Sequence, residues 1–330
     1  MVLAPKLRPI VAFLCVLAEL PAAPALVDAW NADGHMIVAW IAYQHLTPPT
    51  RARVGALLQL NPQYKVWIAG LPAGASADRR RRRAFIQAAN WPDFIKGAGG
   101  YVSDGQDGGF TPPDSPTASQ NIGYPDRNRH MYWHFIDSPF SDDETPTHAA
   151  AVPNVLTELT LLRDALASPS TTDDIKSYDL VWLIHLVGDV HQPLHAVARF
   201  RHNNTDGDNG GNDVKLNCAA GVFCASSLHA EWDGVLGNTH NFDVVTSKGT
   251  TLNARPVPPG AEIADPKAWA DDSMALARSD VYKDPDGAAL GDPRADIGSA
   301  YVDHARGIAE TQVILAARRL AALLNAALNH

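Results

Sequence analysis

Residues 179–195 read Asp179-Leu-Val-Trp-Leu-Ile-His185-Leu-Val-Gly-Asp189-Val-His191-Gln-Pro193-Leu-His195. The apolar positions have helical period, and the pattern predicts a helix over 179–190. At about 100° per residue, positions four apart share a face, so the His185 imidazole and the Asp189 carboxylate project together. Pro193 bends or ends the helix, which brings His195 alongside that pair as a third donor. His191 points off the shared face and reads as structural. Further on, His229-Ala-Glu-Trp-Asp233 repeats the His-x-x-x-Asp spacing in another apolar segment. One such pair is equally well a local hydrogen bond, and one His on an apolar helix is equally well a satisfied core residue. Two pairs, both where unpaired charge is costly, favour a metal, and their nitrogen and oxygen donors suit Zn²⁺.

Working outward, most patterned segments are helical. His35 to Leu46 is amphipathic and is stopped by Thr47-Pro48-Pro49. Helices are also expected over Asp78 to Asp93, Ala149 to Leu166, Lys267 to Arg278 and Ala295 to Leu328. Five consecutive arginines, Arg79 to Arg83, occupy the first half of the Asp78 helix. They read either as a solvated helix face or as an auxiliary contact for a polyanion. Gly97 to Arg129 and Phe200 to Gly211, rich in Gly and polar residues, are expected to be surface loops. No Rossmann glycine pattern, Walker loop or internal repeat interrupts this series. The fold class is all-α, in a single helical domain with long loops.

Composition narrows the function. With 27 Lys+Arg against 36 Asp+Glu the formal net charge is -9, which excludes a basic coat-type nucleic-acid binder. The 13 His are the unexplained count. Lys6 and Arg8, the apolar stretch Ile10 to Leu17, a proline-broken segment and Val27-Asp28-Ala29 form the three parts of a secretory signal. The apolar run is short for a membrane anchor. Residues 1–29 are expected to be cleaved, leaving 30–330 as the domain, secreted or periplasmic. Export removes Cys15, and the remaining Cys218 and Cys224 read as a disulfide closing a tight loop, with two buried free thiols as the alternative.

The motifs Trp30-Asn-Ala-Asp-Gly-His35, Asn90-Trp-Pro-Asp93, Trp133-His-Phe-Ile-Asp137, His185 to His195, Gly210-Gly-Asn212 and Leu228-His-Ala-Glu-Trp-Asp233 occur in this order. Together they resemble the zinc-dependent single-strand nucleases of fungi and the bifunctional nucleases of plants. Those enzymes share the helical phospholipase C/nuclease fold with its trinuclear zinc site. The resemblance implies three zinc ions per chain. Asp93, His134, His185 and Asp189 would hold one. The Trp30 amine and carbonyl would hold a second with His35, Asp189 bridging the two. His195, His229 and Asp233 would hold the third. Only a free N-terminal amine ligates metal, so the resemblance gives signal cleavage a chemical purpose. It also implies that positive charge is concentrated in one cleft of an acidic protein.

By the same resemblance Phe135 stacks on a base, Asp137 hydrogen-bonds its edge, Lys96 neutralises the scissile phosphate and Asn212 belongs to the active site. Asp93 orients the attacking water. The implied activity is hydrolysis of single-stranded DNA and RNA to 5′-phosphorylated products, with 3′-nucleotides as further substrates, by a monomer without stable membrane association. Loops 97–129 and 196–211 are longer than usual for such enzymes. Zinc phospholipase C uses the same metal core but typically has Glu where this chain has Asp233. A non-catalytic secreted zinc-binding protein would have no use for Lys96, Asp137 and Asn212.

Overall fold

The structure is a computed structural model that describes residues 30–104 and 117–328. The expected signal segment 1–29 and the middle of the expected loop 97–129 lie outside the described residues. In chain order the helices are α1 (Ala32–His45), α2 (Pro48–Leu58), α3 (Tyr64–Ile68), α4 (Ala77–Ala88), α5 (Trp91–Gly97), α6 (Val155–Ala167), α7 (Asp173–Asp189), α8 (Leu228–Gly234), α9 (Phe242–Asn253), α10 (Pro266–Leu276) and α11 (Ser299–Leu328). The all-α expectation holds: the described strands are short and form two parallel two-stranded pairs. β1 (Pro139–Ser141) pairs with β2 (Ala198–Phe200), and β3 (Lys215–Cys218) with β4 (Arg294–Ile297).

Helix α7 is the axis of the molecule. Every residue from Lys176 to Asp189 is buried, with α1, α2, α5, α6 and α11 packed around it. A helix apolar on all sides belongs in a core, and that burial explains how His185 and Asp189 come to lie where water is scarce. α11 is long and apolar enough to cross a membrane by length and composition, yet most of it is buried, packed on α1, α6 and α7. Its apolarity is spent on the core.

Several boundaries differ from the sequence expectation, each for a local reason. α7 begins at Asp173, six residues early, because Asp173 and Asp174 supply a favourable acidic first turn. The 78–93 segment is two helices: α4 stops at Ala88 and Pro92 opens α5 in its first turn. The 149–166 helix starts only at Val155. Val152 precedes a proline and is biased away from helical backbone, and Asn154 closes a capping box with Thr157. The 267–278 helix passes at Ala277 into a π turn, Ala277–Val281. The 295–328 helix starts at Ser299 because Arg294–Ile297 is taken by the pairing with β3. α2, α3 and α9 were not expected.

Candidate metal centre

Five separate pieces of chain converge at the C-terminal end of α7. α1 brings His35 in its first turn. α5 brings Asp93, and the short 3-10 turns Met131–His134 and Pro193–Ala196 bring His134 and His195. α8 brings His229 and Asp233. The break between α4 and α5 matters here, because the Ala89 carbonyl accepts from His185 Nδ1 at 2.7 Å. That bond turns His185 Nε2 inward, to 3.2 Å from Asp189 Oδ2, 3.4 Å from Asp93 Oδ1 and 3.0 Å from His134 Nδ1.

Asp189 faces two ways. Its Oδ2 lies 3.0 Å from His134 Nδ1 and its Oδ1 lies 3.2 Å from His35 Nε2. The His35 and His185 rings stack with centroids 3.8 Å apart. This close approach needs Gly188: a Cβ there would sit 2.8 Å from His35 Nδ1. Trp30 is buried beneath α1, where a Cβ on Gly34 would meet Trp30 Cβ at 2.7 Å. The next residue ties this end to α8, Asn31 N–H donating to the Asp233 carbonyl at 3.1 Å.

A second group lies alongside. His195 Nε2 and His229 Nε2 are 3.1 Å apart, and His229 Nε2 is 3.4 Å from Asp233 Oδ2. Each ring is oriented through its other nitrogen, His195 Nδ1 on the His134 carbonyl at 2.8 Å and His229 Nδ1 on the Gly210 carbonyl at 2.7 Å. Such bonds fix which nitrogen faces the centre. Gly210 has φ +58°, and a Cβ there would lie 2.5 Å from the Leu194 carbonyl oxygen, so only glycine presents this acceptor without strain. Gln192, buried between the two groups, donates from Nε2 to Asp233 Oδ1 at 2.7 Å. Its positioning role was missed in the sequence, where it reads only as the residue before Pro193.

The donor set fits small cations. His35 Nδ1 and His134 Nε2 are buried without a hydrogen-bond partner. Burial, then Lys96, lowers the His134 imidazole to about 3, and burial, then His195, lowers His229 to about 3. Neutral imidazole is the form that ligates metal. Burial also lowers His185, but Asp189 and Asp93 outweigh it and raise it to about 10. Burial alone would raise the Asp189 carboxyl, and the facing His185, His134 and His35 hold it well below the usual carboxylate range. The facing-donor separations of 3.0–3.4 Å approach the edge of a tetrahedron around a metal at 2.0–2.1 Å, about 3.3 Å. Three groups of metal-competent side chains follow from proximity: His35 with His185 and Asp189; Asp93 with His134 and His185; His195 with His229 and Asp233.

A narrow cleft opens beside both sets, lined by Lys96, Phe135, Asp137, Asn209 and Asn212 together with His134, His195 and His229. The four substrate-side residues expected from sequence therefore share one wall system with the candidate ligands. Lys96 is buried, its Nζ 2.9 Å from Asp93 Oδ1. The pairing of β1 with β2, and Ile136 N–H donating to the His195 carbonyl at 2.8 Å, hold the Phe135–Asp137 segment against the His195 turn. Asn209, with φ +54°, was not anticipated; its place before Gly210-Gly211 was the available signal. Cys218 and Cys224 form the expected disulfide, Cα atoms 6.0 Å apart. His191 bonds Val187 O and Arg319 and is structural, as its position off the shared face suggested.

A family model described as S1/P1 Nuclease matches residues 30–329. No curated protein matches the chain.

Proposed function

The chain belongs to the S1/P1 nuclease family, metal-dependent hydrolases of nucleic-acid phosphodiesters, and from that premise we propose an exported zinc endonuclease acting on single-stranded DNA and RNA. The observation that carries the reading is the two-way Asp189 carboxylate beside a separate His195–His229–Asp233 group, both on one cleft. Asp93, His134, His185 and Asp189 would hold one zinc, Trp30, His35 and Asp189 a second, and His195, His229 and Asp233 a third. Three ions would place positive charge in the cleft of an otherwise acidic protein.

Zinc, when bound, would lower the pKa of a water and supply Lewis-acid polarisation of the phosphate. The chain's own residues do the rest. Asp93 orients the attacking water through its carboxylate. Lys96, held beside Asp93, neutralises a non-bridging phosphate oxygen, and Asn212 donates a hydrogen bond to the same group. Phe135 stacks on one base and Asp137 accepts from its edge. One aromatic ring, Phe135, beside the candidate ligands suits an unstacked base of a single strand better than the paired bases of a duplex, and stacking of this kind tolerates sequence. Cleavage on the 3′-oxygen side leaves 5′-phosphorylated products, and a 3′-mononucleotide occupies the same contacts as the end of a strand. We propose further that residues 1–29 are removed on export, leaving a mature Trp30 amine; the family match begins at that residue.

The test uses protein with a defined Trp30 N-terminus. We expect three zinc per chain, cleavage of single-stranded DNA and RNA well above that of duplex, and loss of both metal and activity on chelation. Equal rates on duplex would overturn the single-strand reading. Release of headgroup from phosphatidylcholine vesicles without nucleic-acid cleavage would support the phospholipase C alternative. Zinc-replete protein inert on all these substrates would support the non-catalytic one.

A further inference from the structure

The arginine run lies apart from the cleft and is not used by it. Arg80 and Arg81 turn to the protein, Arg80 bonding the Ala75 carbonyl and Arg81 lying 4.0 Å from Asp78. Arg79, Arg82 and Arg83 instead line an open polar cavity of about 640 Å³ between α4, α1 and the start of α9. Their spacing, i, i+3 and i+4, puts them on one helix face where like charges repel. Arg79 also sits in the first turn of α4, the end at which the helix dipole disfavours cations. Stability of the helix does not account for them.

Aromatic rings rather than carboxylates hold two of them, and Arg83 Nε also donates to the Trp67 carbonyl at 3.4 Å. The Arg82 guanidinium lies 5.2 Å from the Trp40 ring centroid and that of Arg83 lies 3.7 Å from Phe242. Among the described residues no carboxylate lies within ion-pair distance of the three, and Asp243 is the single acid lining the cavity. A salt bridge would orient a guanidinium and cancel its charge. A cation–π contact orients it and leaves the donor fork open to an anion. Exposed His240, fixed by its backbone N–H on Asp33 Oδ1 at 2.8 Å, adds a fourth basic group to the rim.

We propose that this cavity is a second nucleic-acid contact, binding backbone phosphates of a single strand away from the scissile bond. The proposal deepens the nuclease reading and rests on it for the identity of the polyanion. Both walls connect to the metal centre: α1 carries His35, and roughly 9 Å of helix axis separates Arg83 from Ala89, whose carbonyl orients His185.

The test is the double variant Arg79→Gln with Arg82→Gln, both partly exposed positions whose stems are kept, in zinc-loaded protein. The probe is a labelled 30-nucleotide phosphorothioate oligothymidylate, read by anisotropy against salt. We expect affinity to fall about tenfold at low salt, and the salt slope to shrink by about 1.4 for two lost phosphate contacts. KM for a cleavable 30-mer should rise similarly with kcat unchanged, and a dinucleotide should be unaffected. The Lys, Lys variant should recover part of the affinity, since it keeps charge without the fork. Unchanged affinity and slope would overturn the proposal. So would competition by a free mononucleotide or inorganic phosphate as strong as that of the oligonucleotide. Arginine-dependent binding without cleavage of any nucleic acid would sink the nuclease reading and leave this one standing. Cleavage indifferent to the arginines does the reverse.

Discussion

Two buried clusters of His and Asp lie on either side of Trp182, and they are built to opposite ends. At the metal centre His134 and His185 share Asp189 and Asp93, and several of the buried donors face one another without partners. In the other cluster His130 is fully satisfied: Nε2 is 2.5 Å from Asp126 Oδ2, Nδ1 is 2.9 Å from Asp104 Oδ2, and the backbone N–H bonds Asp104 Oδ1 at 2.8 Å. The Tyr178 hydroxyl also bonds Asp126, and the His130 ring stacks on Trp133 at 3.7 Å. Both clusters contain a His and an Asp four residues apart. The difference is that one completes its hydrogen bonds internally and the other leaves room for a cation. Spacing alone therefore does not mark a metal site; unsatisfied convergence does.

Breaking each cluster should separate these roles. Asp189→Asn removes the one carboxylate that faces both His35 and the His134–His185 pair. We expect loss of bound metal and a fall in nuclease activity on the order of 10³-fold or more, with helical circular dichroism retained. Elemental analysis and a single-strand cleavage assay check both halves, and a metal-replete, active variant would remove Asp189 from the centre. Asp126→Ala should behave in the contrary way. It strands a buried His130 and a Tyr178 hydroxyl, which should cost about 3–5 kcal/mol in urea unfolding, while metal content per folded chain stays unchanged. Loss of metal at full stability would mean that the second cluster is not structural.

The same contrast explains what the sequence could carry. His185 and Asp189 are legible because an apolar run fixes the helix and the helix fixes their shared face. His229 and Asp233 are legible for the same reason. Asp93, His134 and Trp30 are not: they sit on or beside separate elements far apart in the chain, and only resemblance to a family joins them. The break at Ala89–Asn90 is announced only by Pro92, which says where a helix restarts but not that the freed carbonyl orients His185. α9 went unseen because three threonines and Gly249 blur its pattern, although Gly249 is there to let Trp40 approach; a Cβ would meet Trp40 Cδ1 at 2.3 Å. Local periodicity reports elements, whereas the site depends on which elements touch.

The smallest effect is the most discriminating, because it reads charge in each cluster directly. Burial lowers His130, but Asp104 and Asp126 outweigh it and hold its pKa above the ordinary 6.5, while His134 and His229 are held near 3. A His whose folded pKa is raised contributes stability that is fully present below the unfolded value and is lost as pH rises through the folded one. The stability gap between the native protein and Asp126→Ala should therefore be widest below about pH 6.5 and narrow above it. Other groups on the faces around His130 titrate too, Glu158 among them, raised by burial to about 7, but they are common to both proteins and largely cancel in the difference. Urea midpoints from pH 5 to 9 give the gap, and nitrogen NMR shifts of the imidazoles give the charge. His130 should remain imidazolium at a pH where His134 and His229 are neutral. A gap that widens with pH would show that His130 is held neutral, and the two clusters would then be alike in charge and differ only in packing.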